Sequence, residues 1–114
     1  MLTASVGLTH VRGDTLVLEF LVTDEAGAVA DITGTTPMFA LSELREEIPA
    51  VESPDNATAT ITSAAGGTFR VTVAASVTDD LSGLWVYQAR LDDMSGNRQT
   101  VSRGTILFVD QVII

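Results

Sequence analysis

Apolar and polar residues take turns along most of this chain, and no segment sustains a 3.6-residue repeat. A pleated strand sends successive side chains to opposite faces, so period-two alternation marks half-buried strands and does not suit a helix. The pattern is cleanest from Thr68 to Val73. There Phe69, Val71 and Val73 share one face, and Thr68, Arg70 and Thr72 share the other. Upstream, Ala57, Ala59 and Ile61 alternate with Thr58, Thr60 and Thr62, and Ala64-Ala65-Gly66-Gly67 joins the two runs as a hairpin link.

The remaining segments fit the same scheme. Leu16 to Val22 is apolar on both faces except at Glu19, which predicts a central strand. Asp24-Glu25-Ala26-Gly27 reads as a turn and Ala28 to Ile32 as a short return strand. Thr36 to Leu44 is a further strand, with Pro37 pushing its start towards an edge or a bulge. Glu43 to Asn56, with Pro49, Pro54 and four glutamates, is expected to be a long end loop. Thr78 to Gly83 predicts one helical turn or a tight loop, which Thr78 is placed to cap. Leu84 to Leu91 puts Trp85, Tyr87, Ala89 and Leu91 on one face. A Met94-Ser95-Gly96-Asn97 hairpin then leads into Thr100 to Val109, where Gly104 suggests a bulge or a close backbone approach.

Seven to nine such strands with regular turn signals predict one all-β domain spanning 1–114, an Ig-like antiparallel sandwich. A chain of 114 residues buries enough surface to hold a core without staples. It has no cysteine, hence no disulfide, thiolate nucleophile or thiolate metal ligand. Six basic residues stand against fifteen acidic ones, a net charge of −9. That balance argues against nucleic acid and anionic membranes as partners, since both are bound through Lys and Arg. No apolar run approaches the roughly 20 residues that span a bilayer, and Met1 to Ser5 lacks a signal-peptide pattern.

The residues offer little catalytic chemistry. His10 is the single histidine and lies in an apolar strand, where a structural role suits it better than that of a general base. No phosphate loop or hydrolase motif is present, so the expectation is a non-enzyme without cofactor. Strand-end aspartates are usually turn residues, because their side chains bond the local backbone. If any of them hold calcium, Asp79, Asp80, Asp92 and Asp93 are the candidates. Arg12-Gly13-Asp14 reads as a turn and strand start, and the sequon Asn56-Ala57-Thr58 means little without a secretory context. Trp85 and Tyr87 suit a core face better than a sugar-stacking platform. Val112, Ile113 and Ile114 end the chain without a charge and are the expected interface of a homo-oligomer.

Several of these segments together resemble a known family. Gly13-Asp14-Thr15 leads into an apolar strand, and Asp31-Ile32-Thr33-Gly34 and Gly83-Leu84-Trp85-Val86-Tyr87 follow. Ser95-Gly96-Asn97 then precedes Arg103-Gly104-Thr105-Ile106-Leu107-Phe108-Val109. This order resembles the small Ig-like domains of tailed-phage and prophage structural proteins, nearest to the N-terminal domain of the phage baseplate upper protein family. Ile32 replaces the family's usual Leu, Trp85 stands in for a Tyr, and Glu43 to Asn56 matches nothing. The resemblance implies a structural part of a particle (tail, baseplate, neck or capsid-associated), bound to itself and to other virion proteins. It would be made in the host cytoplasm and located in the virion. The alternative is an Ig-like carbohydrate- or ligand-binding module of a bacterial surface protein.

Overall fold

The computed structural model describes residues 7–43 and 51–112. Eight strands and one helical turn run in the order β1 Gly7–Val11, β2 Leu16–Leu21, β3 Thr36–Glu43, β4 Val51–Glu52, β5 Thr58–Ser63, β6 Thr68–Val73, α1 Ala75–Thr78, β7 Gly83–Asp92 and β8 Arg98–Val109. They form two sheets, ordered β1-β8-β7-β3-β4 and β2-β6-β5. The smaller sheet takes the places of strands B, E and D of an immunoglobulin sandwich, and β8, β7, β3 and β4 take those of G, F, C and C′. The fold is an Ig-like all-β sandwich. One pairing departs from the antiparallel rule, because β1 runs parallel to β8 with Gly7 opposite Thr105 and Val11 opposite Val109.

Alternation explains the core. Phe69, Val71 and Val73 on β6 are fully buried, and so is the β7 row Trp85, Tyr87, Ala89 and Leu91. Phe39 and Leu41 on β3 and Ile106 and Phe108 on β8 complete the inner layer. Burying each such side chain contributes about 1.5–3 kcal/mol. A chain of rings crosses the interior: Phe20 stacks on Phe69 at 4.9 Å, and Tyr87 lies 6.3 Å from Phe20 and 6.2 Å from Phe39.

Trp85 opens β7 just after α1, and its indole Nε1 donates to the Ser82 carbonyl at 3.0 Å. In immunoglobulin domains a tyrosine hydroxyl at this corner bonds back to the backbone a few residues upstream. Here an indole makes the equivalent bond.

Five local expectations are corrected. Leu16 to Val22 contributes an edge strand, β2, and not a central one: Val17 and Leu21 face solvent, so the apolar run does not report burial on both faces. Ala28 to Ile32 forms no strand and makes a single bridge, Thr23 to Val29. Within the expected loop Glu43 to Asn56, Val51–Glu52 pairs with Ala40 and Leu41 of β3, and Val51 is buried; residues 44–50 lie outside the described residues. Pro37 is buried in β3 at the end that β4 leaves uncovered, which suits its missing amide.

The helical turn comes earlier than expected, and Thr78 is its last residue, not its cap. The Thr78 hydroxyl instead accepts from the Gly13 amide at 3.1 Å and donates to the Asp14 carbonyl at 2.7 Å, tying the β1–β2 turn to α1. The bulge in β8 sits at Val101, not Gly104, because Ala89 pairs with Ser102 while Arg90 pairs with Thr100. The extra residue shifts the strand's phase, so Val101 and Ser102 are both buried.

Candidate functional site

The chemistry-bearing residues sit at the two ends of the sandwich and are mostly engaged in holding turns. In the β1–β2 turn, the Arg12 guanidinium donates to the Asp79 carbonyl and to Asp110 Oδ1. Gly13 adopts φ +85°, a left-handed conformation that glycine takes without strain. The Arg-Gly-Asp tripeptide is therefore a fastened corner. His10 belongs to the same corner: Nε2 lies 3.0 Å from the Asp14 carbonyl and the ring packs edge-on against Phe108.

The four candidate metal ligands do not converge. Asp79 and Asp80 follow α1 at the start of β7, and Asp92 and Asp93 lie at its end. At ~3.3 Å per residue, a ten-residue strand holds the two pairs roughly 30 Å apart. Asp92 is clasped by Arg90 at 2.7 Å. Asp93 accepts from the Asn97 and Ser95 amides and from Asn97 Nδ2, closing the β7–β8 hairpin. These bonds, the Asn97 amide foremost, hold the Asp93 carboxyl below its ordinary range. Asp31 is lowered in the same way by the Thr33 hydroxyl and amide. No group of three or more metal-ligating side chains occurs among the described residues.

Trp85 and Tyr87 are both buried, and the Tyr87 hydroxyl meets Ser102 Oγ at 3.0 Å. Neither ring offers a stacking surface. A pocket of about 460 Å³ opens instead between the β2–β3 loop and the β7–β8 hairpin, floored by Ile32 and Leu91 and rimmed by Asp31, Asp93, Asn97 and Arg98. These loops correspond to two of the three that bind antigen in antibody variable domains.

What the single chain leaves uncovered is apolar surface on regular strands. Val17 and Leu21 of β2 are 51% and 60% exposed on the outer face of the smaller sheet. On the larger sheet Leu84 and Leu107 form a directly opposed cross-strand pair, 42% and 40% exposed. Val112 is 95% exposed, and Ile113 and Ile114 lie outside the described residues. Period-two reading missed these positions because an apolar residue on either face of a strand looks the same in sequence. The cue available was β2 itself, apolar on both faces with only Glu19 intervening.

No protein-family model matches the chain, and no curated protein matches it closely enough to count as a relative.

Proposed function

We propose that this chain is a non-catalytic assembly module, a structural part of a phage or prophage particle that acts through protein–protein contacts. The observation that carries the reading is the exposure of two apolar pairs, Val17 with Leu21 on the smaller sheet and Leu84 with Leu107 on the larger. Large apolar side chains grouped on a regular face are costly to leave in water and serve as contact surface. The order of turn and strand motifs shared with tailed-phage Ig-like domains supports the setting. The partners are other virion proteins and further copies of the same chain, in a particle assembled in the bacterial cytoplasm.

Light scattering on the purified chain tests this reading. A defined homo-oligomer supports it, and a strict monomer at millimolar concentration overturns self-assembly. A second reading, a ligand-binding module, has the loop-end pocket beside Asp31 and Asp93 in its favour. Glycan-array binding that is lost on Asp31→Ala with the fold intact would replace the first reading with the second.

A further inference from the structure

Strand β2 closes one side of the three-stranded sheet, and among the described residues its ladder partner is β6 alone. Val22 donates its amide to Gly67 at the near end of β6 and receives Ala30 on its carbonyl. Backbone groups alternate sides along a strand, so those of Val17, Glu19 and Leu21 face away from β6. Among the described residues no strand pairs with that row, and an unpaired row of donors and acceptors is a template for one more strand. The side chains of these same residues stand on the outer face. Leu18 and Phe20 point inward and pack on the core, yet remain only partly buried.

The strand's own symmetry identifies the occupant. Leu16-Val17-Leu18-Glu19-Phe20-Leu21-Val22 reads as three apolar residues, a glutamate and three apolar residues in either direction. We propose that β2 pairs antiparallel with β2 of a second copy, about a two-fold axis at Glu19, so that two three-stranded sheets become one continuous sheet. Val17 then faces Leu21 of the second copy, Leu18 faces Phe20, and the reciprocal pairs follow from the symmetry. The outward backbone groups of 17, 19 and 21 meet those of 21, 19 and 17. Sliding the register so that Glu19 meets Val17 or Leu21 keeps those bonds but sets a carboxylate against an apolar side chain. At the axis the two Glu19 carboxylates approach each other, and each is already held by its own Arg70 at 2.6 Å. The like charges therefore arrive neutralised.

This contact rests on the assembly reading for its purpose, and the experiment separates the two. Sedimentation equilibrium is run on the full chain and on the double variants V17K/L21K and V17E/L21E, with circular dichroism confirming the fold. Both positions are exposed in the single chain, so each variant keeps its sandwich. The wild-type chain is expected to dimerise reversibly, and each double variant to associate at least about tenfold more weakly, because like charges then stand directly opposite. An equimolar mixture of the two variants regains association, since position 17 of one copy meets position 21 of the other. Wild-type association that neither variant weakens, or weakening that mixing does not reverse, overturns the β2 contact and leaves assembly to another surface. A wild-type monomer at millimolar concentration overturns the β2 contact and, with it, self-assembly through any surface.

Discussion

Phe20 on β2 and Tyr87 on β7 bring their ring centroids within 6.3 Å of each other across the two sheets. These two strands take the B and F places, which antibody domains join by a disulfide. This chain has no cysteine. Its sheets are locked by a dispersive contact between rings, extended by Phe69 behind Phe20 and by Phe39 beside Tyr87. A ring contact is also indifferent to redox conditions.

Truncating Phe20 should therefore cost more than its partial burial suggests. Phe20→Ala removes two ring contacts and opens a gap at the sheet interface, with an expected loss of about 3 kcal/mol, the low end for Phe→Ala. Phe20→Leu keeps most of the volume and should lose about 1 kcal/mol. Urea denaturation of the two variants checks the ordering, and equal losses would show that filled volume counts for nothing here and that the ring contacts, absent from both variants, carry the whole effect.

Thr78 makes a narrower test, because its hydroxyl bridges the Gly13 amide and the Asp14 carbonyl. Thr78→Val keeps the shape and leaves both partly buried backbone groups without that partner. The expected loss is about 1–3 kcal/mol. Thr78→Ser keeps the hydroxyl and should recover most of it. If Val and Ser unfold at the same urea concentration, the bridge is not what fastens this corner.

The architecture was legible because the inner rows of β6 and β7 are written in period two: Phe69-Val71-Val73 and Trp85-Tyr87-Ala89-Leu91 are buried as the alternation required. What alternation cannot carry is neighbourhood. Leu16 to Val22 has the composition of a central strand, yet its place at the edge is decided by which segments lie beside it, a non-local fact. The same limit hid β4, since two residues are too few to show a period and Val51 is recognised only by its pairing with β3. Thr78 looked like a cap because threonine caps helices in general. Its actual partners lie more than sixty residues away in sequence. The four strand-end aspartates were legible as turn residues, and Asp93 is one. The separation of the two pairs becomes visible only once β7 is known to run unbroken between them.

Acid should weaken this fold partly through Asp93 and Asp31. Both carboxyls lie below the ordinary aspartate value of 3.8 in the folded state, Asp93 through the Asn97 bonds and Asp31 through Thr33. A depressed folded value means that the carboxylate form is favoured by folding. Its contribution is complete above 3.8 and is lost as pH falls from there through the folded value. Urea midpoints measured from pH 6 to pH 2.5 should fall below about pH 4. In Asp93→Ala that fall should be shallower, with the variant already less stable at pH 6. Parallel profiles for variant and wild type would show that the hairpin bonds are not linked to titration.

Two glycines that both take a positive φ should respond very differently to alanine. Gly27 has φ +83° and open space around the position of a Cβ. Gly67 has φ +69°, and a Cβ there would sit 2.6 Å from the Ala30 carbonyl oxygen and 2.9 Å from that of Val22. Both substitutions carry left-handed strain of about 1–2 kcal/mol. Gly67→Ala must in addition push apart backbone that is already bonded, since Val22 donates to the Gly67 carbonyl and accepts from Ala30. Gly27→Ala is therefore expected to lose about 1 kcal/mol. Gly67→Ala should lose clearly more, about 3 kcal/mol or above, because neighbouring backbone cannot yield as a flexible side chain would. Denaturation of the two single variants decides it. Equal losses would mean that the loop between β2 and β3 moves aside freely, and that the end of the sandwich carrying the pocket is not held by its contact with Gly67.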